Sequence, residues 1–140
     1  MNRAIFVADF FANEVPGGGE LNNQELIEIL RQRGTHVLEI KSGRLTPDFI
    51  SECSKEVKFI VANFVMLSEE SKTMLENDRE YIIYEHDHKY VRSRNPADYK
   101  NFIAPKSEII NFSFYKNAKA VLCQSRFHAD IVESNLKLDN

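Results

Sequence analysis

Four short clusters of polar residues contain the groups in this sequence that could do chemistry. The first, Gly17, Gly18, Gly19 and Glu20, stands at the start of a predicted helix. Glycines let a ligand approach the backbone, and the free N–H groups at a helix N-terminus attract phosphate or sugar hydroxyls. The spacing matches neither the G-x-G-x-x-G dinucleotide motif nor the G-x-x-x-x-G-K-[ST] phosphate loop. The cluster predicts a ligand-facing loop, with a flexible turn as the structural alternative.

The second cluster, Glu85, His86, Asp87 and His88, follows a predicted β-strand. Alternation along the strand predicts the two histidines on one side and the two carboxylates on the other. A histidine at the carboxyl end of a strand can act as an acid, a base or a hydrogen-bond donor to a polar substrate. We therefore predict His86 and Asp87 as catalytic residues. The alternative is a turn in which the histidines have structural partners.

The same two histidines also permit a metal site. The spacing of His86 and His88 supplies two ligands, and the third would come from Asp9 or His128. Because the sequence does not fix that third ligand, no metal is assigned to the predicted site.

The third and fourth clusters lie in a loop and at the start of the last predicted helix. Arg92 and Arg94, followed by Asn95, could clamp an anion between two guanidinium groups, or they could be solvated surface residues. Ser125 lacks the surrounding glycines of a G-x-S-x-G nucleophile, so it is expected to cap the helix, and His128 to be structural. The residues predicted to face a substrate or a donor phosphate are Gly17, Gly18, Gly19, Glu20, His88, Arg92, Arg94, Asn95 and Ser125.

Short β-rich runs alternate with helix-length amphipathic runs along the chain, which is typical of a parallel sheet with crossover helices. Strands are predicted over 4–8, 36–40, 58–62, 80–84 and 118–122, and helices begin at or just after Glu20, Thr46, Ser68, Ser107 and Ser125. Residues 1–140 are predicted to form one α/β domain, a three-layer Rossmann-like open parallel sheet of about five strands with helices on both faces. Ligands bind such sheets at the carboxyl ends of the strands, where the clusters should converge.

Composition restricts the classes of partner. The chain has 140 residues, 18 basic and 21 acidic, and a net charge of −3. This balance argues against nucleic acid as a partner, since binding to it usually needs a basic excess. Cys53 and Cys123 lack the C-x-x-C spacing of a metal or redox site, and two such distant thiols fit a reducing compartment. The sequence therefore predicts a cytoplasmic protein.

The charge is unevenly distributed along the chain. Residues 88–106 contain five basic residues and one acid, so this segment carries +4 and the rest of the chain carries −7. A cationic patch on an acidic domain can meet phosphate, a charged acceptor or anionic lipid. The segment permits peripheral contact with the inner membrane surface through residues 89–106, and the alternative is a solvated loop.

Three motifs, in this order, resemble the N-terminal domain of glycosyltransferases with the GT-B fold, in particular the glycogen-synthase-like retaining group (family 4-like). The glycine loop at 17–20, followed by Arg-Gly-Thr-His-Val at 33–37, is similar to the opening of that group. Residues 81–87, Tyr-Ile-Ile-Tyr-Glu-His-Asp, resemble its strand ending in a His-Asp pair. Residues 118–127 resemble its A-x-x-V-x-x-x-S-x-F junction between strand and helix.

The resemblance implies half of a GT-B fold, the acceptor-side domain of an enzyme that transfers a sugar from a nucleotide sugar. His86 would contact the donor sugar or the reacting centre, and Asp87 would orient His86 or shape the loop. Residues 17–20 would face the cleft near the donor diphosphate and the acceptor. Such a transferase needs no cofactor; its co-substrate is the nucleotide sugar, and its acceptor is a carbohydrate or a lipid-linked molecule.

The resemblance also implies that a second Rossmann-like domain or a partner chain completes the cleft. The acidic motif of the group's donor domain has no counterpart in this sequence, so transfer by the chain alone is not expected. Two other functions stay open on the residues alone. One is a non-catalytic Rossmann-like binding module for a phosphate-bearing ligand or partner. The other is a small metal-dependent hydrolase using Asp9, His86 and His88.

Overall fold

The computed structural model describes residues 2–140 as an open sheet of five parallel strands in the order β2-β1-β3-β4-β5. The strands are β1 (Arg3–Ala8), β2 (His36–Lys41), β3 (Lys58–Val61), β4 (Tyr81–Tyr84) and β5 (Val121–Leu122). The helices are α1 (Gly18–Gln32), α2 (Pro47–Glu52), α3 (Glu69–Asp78), α4 (Phe112–Asn117) and α5 (Arg126–Leu136). The predicted three-layer α/β fold is confirmed.

Strand β1 is central because it is apolar on both faces. Its residues Ala4 to Ala8 are buried, and it pairs in parallel with β2 on one side and β3 on the other. The strand order reverses between β1 and β3, so the connections leave in opposite directions there and open a crevice above the carboxyl ends. The switch point, where sheets of this kind bind ligands, therefore lies beside the residues that follow β1.

Helix α1 packs on one face of the sheet, where Ile27 meets Phe6, Ile60 and their neighbours in one apolar cluster. Helices α2 to α5 contribute to the larger cluster on the other face. Side-chain caps begin three of these helices as predicted. Thr46, Ser68 and Ser125 each accept a hydrogen bond from the backbone N–H three residues on.

The helix predicted to begin at Ser107 is wrong. Residues 106–108 form only a single 3-10 turn, and α4 begins at Phe112, after Asn111 in a left-handed conformation with φ 58°. The reason is that Val91 and Ile109 form an antiparallel bridge, and the N–H of Ile110 donates to the carbonyl of Tyr90. These contacts hold the segment extended until Asn111 turns the chain.

The remaining differences are at element ends. Helix α1 begins two residues before Glu20, and β5 contains only two of the five residues predicted at 118–122. Gly34 ends the α1 region with φ +91°, a conformation that favours glycine at the end of a helix. Within residues 2–140, no helix is long and apolar enough to cross a membrane.

A cavity under α1 should lower the stability of the fold, because Ile27 of this helix is fully buried against the sheet. Ile27→Ala should lower the free energy of unfolding by about 2–5 kcal/mol, measured by urea titration. Leu21→Ala on the exposed side of the same helix is the control and should change it by less than about 1 kcal/mol. Equal effects of the two substitutions would contradict this packing.

Candidate functional site

A crevice of about 520 Å³ lies above the carboxyl ends of β1, β3 and β4. Its volume is within the usual range for small-molecule sites, and it lies at the switch point where doubly wound sheets bind ligands. The residues other than its apolar rim come from the first three predicted clusters and from the positions that follow β1 and β3: Asp9, Gly19, Glu20, Asn63, His86, Asp87 and Arg94. The sequence therefore predicted the position of the crevice and most of its polar groups.

The rim of this crevice is apolar. Phe10, Val65 and Met66 line it with 44, 55 and 62% of their surface exposed. A larger cavity of about 790 Å³ between α3 and α4 adjoins it and shares Val65 and Arg94. The two cavities together form a continuous surface with Arg94 at the junction.

The glycine loop opens α1 directly beside His86. Gly17 is the N-cap residue and no side chain caps the helix, so the first N–H groups of α1 are free to meet a ligand. A Cβ atom built on Gly19 would lie 3.5 Å from Cγ of His86, and one on Gly18 would meet no atom within 4 Å. The first and second predicted clusters are thus in contact.

His86 is held as a neutral imidazole. Its Nε2 lies 2.6 Å from Oδ1 of Asn23, and its ring packs edge-on against Tyr84 with centroids 4.8 Å apart. Burial, assisted by the positive charge of Lys89, lowers the pKa of His86 to about 4. At neutral pH this group can donate or accept a hydrogen bond but carries no charge.

Asp87 is an anchor for two cations rather than a free acid or base. It accepts a hydrogen bond from Nζ of Lys89 at 2.7 Å and from Nε and Nη2 of Arg94, the former at 2.9 Å. Burial raises the pKa of Asp87, but Lys89 and Arg94 outweigh burial and leave this pKa below its usual value. Asp87 therefore stays ionised and aims the Arg94 guanidinium at the crevice.

A buried ion pair supports this arrangement. Glu85 and Lys89, whose side chains are 0 and 2% exposed, form a salt bridge, and the hydroxyl of Tyr115 donates to the other carboxylate oxygen of Glu85. Nζ of Lys89 also lies 5.1 Å from the centre of the Phe64 ring. The +4 count of the sequence placed Lys89 in a surface patch, but a charge this deep is fully committed to its partners.

The two histidines of the second cluster have different partners, and only His86 lines the crevice. Nδ1 of His88 lies 2.7 Å from the hydroxyl of Tyr90, and its ring packs against His128 with centroids 4.4 Å apart. Strand β4 ends at Tyr84, so strand alternation no longer applies to these residues. His128 in turn donates from Nε2 to the carbonyl of Asp87 at 3.1 Å, which is a structural role.

Gly17, Gly18 and His88 lie outside the crevice lining, and so do three residues with other local partners, Arg92, Asn95 and Ser125. Arg92 pairs with Glu108 at 3.3 Å, so it does not join Arg94 in a clamp. Asn95 accepts from the N–H of Ala97 and caps a 3-10 turn, and Ser125 caps α5. Each has a local structural task that explains its residue type.

These ion pairs also change the meaning of the cationic segment. Of its five basic side chains, Lys89, Arg92 and Arg94 are matched by the carboxylates of Glu85, Asp87 and Glu108, all of which lie outside residues 88–106. The local positive field is therefore smaller than the sequence count of +4 indicates.

The three proposed metal ligands are not assembled. The carboxylate of Asp9 accepts hydrogen bonds from Ser42 and from the N–H groups of Val65 and Met66, at 3.2 and 3.1 Å for the latter two. Over residues 2–140, no three His, Cys, Asp or Glu side chains are placed to hold a metal ion. The geometric basis of the metal-dependent hydrolase is therefore lost.

Sequence reasoning missed Asn23, Lys89 and Tyr115. Asn23 lies on the same stripe of α1 as Leu26, Ile27 and Leu30, so a polar residue at an apolar helical position was the available signal. Lys89 and Tyr115 gave none, because their partners are fixed by a loop and by tertiary packing. No protein-family model, curated protein or solved structure matches the chain, so its function is inferred from the geometry of the site.

Removing one partner of the buried pair should be costly. Lys89→Met keeps the apolar stem but leaves the charge of Glu85 alone, and should lower the free energy of unfolding by about 3–5 kcal/mol at pH 7 in urea titrations. The loss should shrink as the pH is lowered towards 4.5, the ordinary pKa of glutamate, since an isolated buried carboxyl takes up a proton in the folded state.

Two further variants check the origin of that loss. Glu85→Gln combined with Lys89→Met should recover much of it, because no charge is left buried. Lys58→Met breaks the exposed pair with Glu80 and should leave the urea midpoint nearly unchanged. A single Lys89→Met variant as stable as the wild type would contradict the arrangement.

The half-buried histidines predict a loss of stability in acid. The pKa values of His86 and His88 fall from 6.5 to about 4, chiefly through burial, so the unfolded state takes up protons first. Their contribution is complete above pH 6.5 and is lost as the pH falls towards 4. His88→Gln should flatten the fall of the urea midpoint over this interval, whereas the exposed His36→Gln should not. Identical pH profiles for the His88 variant and the wild type would refute this origin.

Proposed function

We propose that the chain is the acceptor-side domain of a nucleotide-sugar-dependent glycosyltransferase. The observation that carries the proposal is the contact between the uncapped, glycine-rich start of α1 and the neutral ring of His86, in a crevice where Asp87 holds Arg94. One crevice thus combines free backbone N–H groups, a neutral imidazole and a guanidinium.

These groups match the requirements of sugar transfer from a nucleoside diphosphate. The reaction builds negative charge on the departing diphosphate and positive charge on the sugar, and preorganised donors stabilise the former. The N–H groups of Gly18 and Gly19 and the cation of Arg94 are suited to the diphosphate. The neutral His86 is suited to a sugar hydroxyl and adds no charge next to the oxocarbenium-like centre.

The openness of the crevice supports a role as one half of a cleft. Water-excluding walls strengthen electrostatic catalysis, but here the apolar side chains of Phe10, Val65 and Met66 face outward around the crevice. In the proposal, a second Rossmann-like domain or partner chain that binds the donor covers this rim. The acceptor, a carbohydrate or lipid-linked molecule, enters beside it, and no metal or other cofactor takes part.

A second candidate is a non-catalytic module that binds a phosphate-bearing ligand. It is supported by the free N–H groups of α1 alone, which attract phosphate without any transfer. Such a module would bind the phosphate group with the isolated chain, whereas the transferase domain would bind donor firmly only with its second domain.

The test measures sugar transfer and donor hydrolysis from a panel of nucleotide sugars, using the chain together with its donor-binding domain. His86→Ala should lower kcat about 100-fold, since one well-placed group in the transition state is worth this much. His36→Ala, at the opposite edge of the sheet, is the matched control and should leave transfer unchanged.

Several outcomes would contradict the proposal. Full activity of His86→Ala would remove the assigned role of His86. Absence of transfer from every nucleotide sugar, together with tight binding of inorganic phosphate by the isolated chain, would favour the binding module. Transfer that stops on chelation of metal ions would contradict the metal-free mechanism.

A further inference from the structure

Asn23 is a polar residue in an apolar position. It is fully buried, one turn before Leu26 and Ile27 on the stripe of α1 that faces the sheet. A polar side chain in such a place costs free energy unless it is hydrogen-bonded. Its amide nitrogen Nδ2 is the one buried side-chain nitrogen or oxygen in residues 2–140 that lacks a partner. The residue is therefore not explained by packing alone.

The partner of its oxygen is His86. Oδ1 of Asn23 lies 2.6 Å from Nε2 of His86, and a carbonyl oxygen can only accept, so Nε2 carries the hydrogen. A neutral imidazole has one N–H group, so Nδ1 is then an unprotonated acceptor. The low pKa of His86, caused mainly by burial, agrees with a neutral ring.

The other edge of the ring faces the crevice. The Cβ position of Gly19 lies 3.5 Å from Cγ and 3.7 Å from both Cβ and Cδ2 of His86, and Asn23 of the same helix holds Nε2, so α1 packs against the ring and occupies its Nε2 position. Nδ1 has no hydrogen-bond partner in the described chain, and it is not among the buried atoms that lack one, so solvent reaches it. His86 itself lines the crevice.

We propose that Asn23 is a positioning residue that fixes the tautomer of His86 and presents Nδ1 as an acceptor to a hydroxyl group of the ligand. This inference rests on the proposed function and names the part of the substrate that His86 recognises. An unprotonated nitrogen pairs with a hydrogen-bond donor, so it selects a sugar hydroxyl over a phosphate oxygen. The anionic part of the ligand is left to Arg94 and the N–H groups of α1.

The experiment is nitrogen NMR of the imidazole rings in the 140-residue chain at pH 7. In the wild type, Nδ1 of His86 should show the downfield shift of an unprotonated nitrogen, and Nε2 should carry a slowly exchanging proton. A proton on Nδ1, which would follow if the Asn23 amide were turned to donate, overturns the proposal. No transferase activity is measured, so a failure here is separate from a failure of the proposed function.

Variants of the adjacent asparagines provide the comparison. Asn23→Leu should lose the slowly exchanging Nε2 proton and move the two nitrogen shifts towards those of free histidine. Asn23→Asp keeps an acceptor and should keep the tautomer while raising the pKa of His86. Asn22→Leu, which loses a contact to Gln124 at 2.8 Å, is the control and should leave both signals in place.

Two results from these variants would overturn the proposal. One is an unchanged Nε2 proton signal in a folded Asn23→Leu variant. The other is protonation of Nδ1 when inorganic phosphate is added to the wild type, since the site would then recognise an anion. If Asn23→Leu does not fold, the wild-type spectrum and the Asn23→Asp variant still decide the tautomer.

Discussion

The site depends on one buried charge pair, Glu85 with Lys89. Removing two charges from water costs free energy, and the folded state tolerates this cost only when both charged groups make their full set of hydrogen bonds. Here Tyr115 completes the carboxylate, while the same ammonium group bonds to Asp87 and packs on Phe64. The pair thus fixes the chain just after β4. Asp87, which is bound to the same lysine, in turn holds the side chain of Arg94 in one orientation. The side chain of a surface arginine is ordinarily mobile, whereas the orientation of Arg94 is set by Asp87 and, through it, by the buried ion pair.

The reversal of strand order beside β1 is the second constraint. It brings the end of β1, the start of α1 and the end of β4 to one edge, although these segments are far apart in sequence. The crevice needs no special loop to create it, since its walls are the places where ordinary connections diverge. The residue types at these positions give the crevice its chemical properties. Glycines stand where a helix begins, and histidine and aspartate follow the end of a strand.

The sequence alone predicted the five strands, their parallel arrangement and the helix starts at Thr46, Ser68 and Ser125, because each depends on local pattern. It also predicted that the glycine loop and His86 meet, since both follow strands at the same edge. It did not predict where α4 begins, because the bridge between Val91 and Ile109 is a tertiary contact that overrides a helical pattern over residues 107–111. It likewise placed Lys89 on the surface, since nothing local shows that a lysine in a basic segment faces inward.

Helix α1 has two duties that are usually divided between elements. Its apolar stripe closes one face of the core through Ile27, and the same stripe, one turn earlier, holds the ring of His86 through Asn23. Its free end meanwhile faces the crevice. Small rotations of this helix therefore move the core and the imidazole of His86 together. The position of His86 cannot change independently of the packing of the core. Substitutions in this helix are consequently restricted at two places. At the inner positions the restriction comes from core packing and the hydrogen bond to His86, and in the first turn it comes from the access of a ligand to the backbone N–H groups.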